Sequence, residues 1–181
     1  MAFNVAEFRS NMVGDGARPN LFSVSLVFPQ IASNGTIAGQ KVTFMAKSAQ
    51  LPGSSIGTVP VYYFGRELKF AGNRTFPDWT LSIINDEDFT IRNSLESWLN
   101  AINSHQGNLR DAGATSSSGY TVEATVNQYS KLGGDPIKSY TFVGMFPIDI
   151  SPIELDWGSN DSIEEFSVTF AYQYWNSVST S

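Results

Sequence analysis

The chain has 181 residues, with 17 acids, 11 bases, one histidine and no cysteine, for a net charge of -6. That length fits one domain with a real hydrophobic core. The acidic balance argues against a sequence-reading nucleic-acid binder. The missing cysteines exclude a disulfide framework, a thiolate metal site and a cysteine nucleophile, and one histidine excludes any site built on two imidazoles.

The charge is unevenly placed. Residues 1–138 hold all 11 bases and 11 acids, and the six remaining acids, Asp149, Glu154, Asp156, Asp161, Glu164 and Glu165, follow with no base. That excess reads as a solvated rim or as a functional acidic surface. The first residues lack a basic stretch followed by an apolar run, so no signal peptide is expected. No stretch approaches the ~18 apolar residues of a membrane helix. A soluble protein folded in a cytoplasm is the expectation, and the sequons at Asn34, Asn73 and Asn160 then read as chance.

Residues 1–20 read as an N-terminal arm, with a weak helix over Val5–Met12. Leu21 to Phe28 alternates, with Phe22, Val24, Leu26 and Phe28 on one face and Pro29 as a stop. Gln40 to Gln50 is expected as a strand with Val42, Phe44 and Ala46 on one side. Leu51 to Phe64 carries no charge, and Val61, Tyr62, Tyr63 and Phe64 fill both strand faces. That suits a strand buried on both sides or a segment covered by another subunit. Val59–Phe64 and Glu67–Ala71 read as two arms around Gly65 or one bent strand. Trp79 to Ile84 alternates.

The period then changes. Ile91, Leu95, Trp98, Leu99 and Ile102 form one helical stripe, the core face of a helix over about 88–104. Asp86, Glu87 and Asp88 suit its N-terminus, and Gly107 is a plausible stop. Residues 107–119 are Gly/Ser-rich and read as a flexible loop unable to pack a core. Strands follow at Tyr120–Ser130 and 137–146. The last strand, Ile163–Trp175, places Phe166, Val168, Phe170, Tyr172 and Tyr174 on one face and Ser167, Thr169, Ala171 and Gln173 on the other. The sum is a mainly-β single domain over 1–181, a sandwich or barrel with one packed helix.

No constellation for catalysis, metal or cofactor appears. An EF-hand loop from Asp86 would need glycine and glutamate where Ile91 and Ser97 stand. His105 has no nucleophile-elbow serine near it. Glu164 and Glu165, adjacent on a strand, point to opposite faces and cannot flank one bond. Gly133-Gly134 and Gly14-Asp15-Gly16 lack the rest of a phosphate loop.

The block Gly72-Asn73-Arg74-Thr75-Phe76, Trp79-Thr80, Ser82 to Phe89, Ile91-Arg92-Asn93, Glu96 and Trp98-Leu99-Asn100 closely resembles the tail tube protein of contractile-tailed bacteriophages. Leu51-Pro52-Gly53, then Val61, Tyr63 and Gly65-Arg66 precede it in the same family pattern, and Pro147–Asp156 with Ile163 to Tyr172 resembles the closing strand. The match runs in order over most of residues 20–175. The resemblance implies hexameric rings, stacked into a tube inside a contractile sheath. In each ring the inner sheets of neighbours join into one continuous barrel around a channel for DNA. It implies no catalysis, cofactor or small-molecule ligand. The implied partners are copies of itself, the sheath protein, and the baseplate initiator and tail terminator; the implied location is the virion tail, assembled in the host cytoplasm.

On that resemblance, Ser167, Thr169, Ala171 and Gln173 are candidate channel-lining residues, since an uncharged lining would not retain DNA. Phe3, Val5, Phe8, Leu51, Val61, Tyr62, Tyr63 and Phe64 are candidate contacts between subunits or rings, and the helix would cover the outer side of its own sheet. Three other readings remain open: the tube subunit of a type VI secretion or extracellular injection system, a carbohydrate-binding β-sandwich, and a hydrolase assembled from distant carboxylates.

Overall fold

A computed structural model describes residues 4–178. The N-terminal segment forms α1 (Val5–Asn11), capped by the Asn4 side chain accepting from Ala6 N, and one 3-10 turn at Val13–Asp15. No residue of α1 is buried.

Seven strands form the main sheet, in the order β1 (Phe22–Leu26), β6 (Val122–Gln128), β7 (Lys138–Ile150), β8 (Glu165–Ala171), β5 (Trp79–Ile84) and β2 (Ala46–Ala49), with β9 (Tyr174–Ser177) also paired to β7. Every pair is antiparallel. Strand β7 belongs to two layers. Its first part pairs with β6 and β9, and its second part, from Phe146, pairs with β8. The bend falls at Gly144, whose φ of +66° suits a residue without Cβ. The two layers enclose one core: Val24, Leu26, Leu81, Ile83, Val126, Phe142, Met145, Val168 and Phe170 are all buried.

The expected last strand is broken. Phe166, Val168 and Phe170 face the core, and then the chain turns at Tyr172–Gln173, opposite the bend in β7. Side-chain parity slips there. Trp175 packs against the core and Ser177 is buried, whereas Tyr174, expected on the core face, is exposed.

The segment expected as a strand over Gln40–Gln50 is mostly helix. Helix α2 (Gly35–Met45) precedes β2 and buries Ala38 and Val42, four residues apart on one face. Phe44, expected on the same strand face as Val42, is 84% exposed. Gly39 lets the helix lie close to β1: a Cβ there would stand 2.8 Å from Leu26 O. So the domain carries two long helices rather than one.

Helix α3 (Thr90–Ile102) is the amphipathic helix anticipated from the sequence. Ile91, Leu95 and Trp98 are buried, and Leu99 and Ile102 are half-buried. Each fully buried side chain contributes about 1.5–3 kcal/mol of transfer free energy. Trp98 packs its ring 5.7 Å from Phe28 and 6.3 Å from Phe170, and its Nε1 donates to Tyr120 O at 2.9 Å.

The start of α3 differs from a simple acidic cap. The cap residue is Phe89, in the left-handed region, and Asp88 Oδ1 accepts from Thr90 N at 3.0 Å. Lys41 of α2 bridges Asp86 at 2.8 Å and also contacts Asp88, tying the two helices together. The lysine ammonium and the Thr90 N–H lower the Asp88 pKa to about 2. The helix ends at Asn103, before Gly107.

The 107–119 segment, expected to pack nothing, does contribute to the core. It holds a 3-10 turn at Ala112–Ala114 and leads into α4 (Ser117–Tyr120), and Ala114 is fully buried. Glycine makes this fold possible, because a Cβ on Gly119 would lie 2.1 Å from Gly113 O.

Strands β3 (Ser55–Tyr63) and β4 (Arg66–Thr75) form a separate two-stranded sheet. Two arms around Gly65 is therefore the right reading, with both arms longer than anticipated. Burial on both faces within the chain is ruled out, since every residue of β3 is exposed. No helix is long and apolar enough to cross a membrane among the described residues.

Candidate assembly surfaces

Three surfaces carry the sequence-expected residues. The first is the β3–β4 hairpin. Its turn places Phe64 and Gly65 at φ +47° and +75°, the paired positive values of the tight hairpin turn that matches strand twist. Its root is fixed by two indoles: Trp79 Nε1 donates to Gln50 O at 2.7 Å and Trp175 Nε1 to Gly53 O at 3.0 Å. Phe76, next to the hairpin, meets Tyr172 and Trp175 edge-on or tilted. From that aromatic root the strands run out with Ile56, Val59, Val61, Tyr62, Tyr63, Phe64, Leu68 and Phe70 exposed. Leu51, just before the root, is exposed too. The structure thus brings Val61, Tyr62, Tyr63 and Phe64 together on the hairpin, whereas Leu51 lies before its root, near Phe22 and Val126 of the main sheet. Val5 and Phe8 lie exposed on α1, and Phe3 lies outside the described residues.

The second surface is the polar face of β8. Ser167, Thr169 and Ala171 alternate with the buried Phe166, Val168 and Phe170. Pairing with β5 sets Ser167 beside Ser82 and Thr169 beside Thr80, whose hydroxyls lie 3.3 Å apart. Asp149 of β7 is the other neighbour of Thr169, and Phe146 flanks Ala171. Gln173 stands apart from this face, beyond the bend, with its N–H donating to Val143 O. Thr80, Ser82 and Asp149 are the members that sequence reasoning missed. The alternation of β5 carried the signal for the first two, which alternate with the buried Leu81 and Ile83.

The third surface is the connection from β7 to β8. Residues 151–165 surround an open concavity of about 810 Å³. Leu155, Trp157 and Ile163 are exposed there, beside Glu154, Asp156, Glu164 and Glu165. The six C-terminal acids therefore split. Asp149 and Glu165 lie on strands, and the other four lie on this connection. Glu165 pairs with Lys47 at 2.5 Å, and Glu164 accepts from the Asn85 amide at 2.9 Å. Those two carboxylates have different partners and do not share a site. His105 is exposed, its backbone N–H directed at the Asn100 side chain. Among the described residues no group of three or more His, Asp or Glu side chains could hold a metal.

Solved structures share this bent two-layer sheet with its exposed apolar hairpin. A chain of the sheath-tube complex of an extracellular contractile injection system in its extended state superposes with a TM-score of 0.63 at 16% identity, covering 97% of this chain and 98% of that one. A chain of the same system's sheath/tube terminator structure gives 0.64 at 16% identity, over 92% of this chain and 99% of that one. The sequence places it further: the phage tail tube protein family model matches residues 17–178, and the chain belongs to that family. It is 35% identical to the tail tube protein gp19 of Enterobacteria phage T4 over 90% of this chain and 92% of that protein. It is 27% identical to the tail tube protein of Serratia phage KSP90, over 93% of each. The chain is thus a structural subunit of a phage tail tube.

Proposed function

We propose that this protein forms hexameric rings that stack into the inner tube of a contractile tail, and that viral DNA passes along the channel without being held. The observation that carries this reading is the β3–β4 hairpin, whose apolar side chains stay exposed among the described residues. Large exposed apolar surfaces mark interaction sites. The main sheet also ends on β1 and β2, and these two and β9 are each paired on one side only. Open edges invite pairing with another chain, and closing them between six neighbours makes one barrel around a channel. The polar face of β8 and β5 suits the wall of that channel. Serine and threonine hydroxyls, with Asp149 and the Lys47–Glu165 pair, provide no surplus of cations to retain phosphates. The sheath protein contacts the outside, the baseplate initiator starts the tube and the terminator ends it. The role needs no catalysis or cofactor.

Negative-stain electron microscopy of the purified protein tests the proposal. Rings or tubes with a sixfold central channel are expected, alone or once baseplate components are added. A protein that stays monomeric even with those components overturns it.

A further inference from the structure

The hairpin is joined to the main sheet by two short legs. Residues 50–54 lead out to β3 and residues 76–78 lead back from β4, and neither hairpin strand pairs with a strand of the main sheet. The nine residues of β3 carry the tip about 30 Å from the root, so a turn of about ten degrees at the root moves the tip by about 5 Å, the spacing of neighbouring strands. The legs move together, because Ser55 and Thr75 hold their hydroxyls 2.7 Å apart across the base and Arg74 Nη1 donates to Ser54 Oγ at 3.0 Å. The direction of the whole hairpin therefore depends on what grips its legs.

The two indole bonds at the root are not equivalent. Gln50 directly follows β2, which pairs with β5, so the bond from Trp79 of β5 joins neighbours that the ladder already holds. Gly53 lies further out, and its carbonyl accepts from Trp175 of β9, a strand of the other layer. The Trp175 ring also meets Phe76 of the returning leg, with centroids 6.5 Å apart and ring planes at 80°. One side chain thus touches both legs. Trp175 is itself held in place: its backbone pairs opposite Phe142, and the Tyr140 ring stands edge-on at 5.3 Å. Trp79 is buried in the core, whereas Trp175 is half-buried and Gly53 is exposed. Water can replace a lost indole bond at Gly53 without disturbing the core.

We infer that Trp175 is a positioning residue for tube assembly: through this one indole, strand β9 sets the direction in which the β3–β4 hairpin leaves the main sheet. The inference rests on the tube reading above and adds what aims the hairpin within its own subunit before any neighbour is met.

Trp175→Phe tests it, since the variant keeps a ring beside Tyr140 and Phe76 and removes the N–H. Hydrogen exchange on unassembled protein should quicken about five- to tenfold at residues 53–57 and 72–76, the worth of one net hydrogen bond, and stay unchanged in β5 and β8. In the same variant the concentration needed for tubes should rise by a similar factor. Faster exchange spread evenly through β7, β8 and β9, in step with a lower melting temperature, is the mark of a merely structural residue and overturns the inference. Unchanged exchange at the root overturns it too, as do tubes at the wild-type concentration from a variant whose root has loosened. Phe76→Leu acts on the second leg without touching β9 and should give the same pattern. A wild-type root in that variant overturns the clamp even where Trp175→Phe fails to fold. Wild-type protein that forms no tubes under any condition overturns the tube reading together with this role, whereas variants that match wild-type tubes overturn this role alone.

Discussion

Trp98→Ala removes the largest fully buried side chain of the domain. Truncating a core tryptophan costs about 3–5 kcal/mol in lost transfer energy and cavity formation. The Tyr120 carbonyl also loses its indole partner, which adds about 1 kcal/mol. A sum near 4–6 kcal/mol approaches the whole stability of an ordinary domain, roughly 5–15 kcal/mol. Trp98→Phe separates the two contributions. It keeps a ring against Phe28 and Phe170, and gives up the hydrogen bond with part of the volume, for about 1–3 kcal/mol. At this chain length each kcal/mol moves the melting temperature by roughly 2–4 °C. Melts followed by circular dichroism, on protein dilute enough to stay unassembled, should therefore fall in the order wild type, Trp98→Phe, Trp98→Ala. An alanine variant within about 1 kcal/mol of wild type would refute the placement of α3 in the core.

Asp88 supplies a pH test. Its folded pKa of about 2 lies below its ordinary 3.8, so its contribution to stability is complete above pH 3.8 and is lost as pH falls through 2. Lys41→Met should raise that carboxyl part of the way back, seen by NMR titration, and its stability deficit against wild type should shrink across the same window. Gly39→Ala drives a Cβ against Leu26 O and should cost about 1–3 kcal/mol in urea unfolding by prising α2 from β1. Thr169→Lys should leave tubes intact under the microscope but lower infectivity, through a cation held in the channel. Full infectivity would remove the β8 face from the channel wall.

The sequence was legible where one period ruled. In β5 and β8 a strict alternation separates Leu81, Ile83, Val168 and Phe170 from Ser82, Thr80, Ser167 and Thr169, and the structure keeps that separation. In α3 the stripe through Ile91, Leu95 and Trp98 was equally clear. Helix α2 was hidden because Val42 belongs to two patterns. Val42, Phe44 and Ala46 fit a strand, while Ala38, Val42 and Met45 fit a helix face, and exposed apolar residues at Ile37 and Phe44 blur the contrast. The break before β9 was hidden for another reason. It answers the bend at Gly144 of β7, a partner about thirty residues away, which no local pattern of β8 records. The hairpin residues were recognised as unusual from their lack of charge. Where they go depended on topology: nothing in Val61–Phe64 itself says that both faces stay bare.

One consequence of the shared strand β7 is mechanical. Its 13 residues run through both layers, with β6 and β9 beside its first part and β8 beside its second. Thrust entering one layer therefore reaches the other along covalent bonds, and does not depend on the layers gripping each other through side chains. Loaded along its length, an antiparallel ladder strains its hydrogen bonds together rather than one after another. The subunit can then transmit a push as a single stiff column.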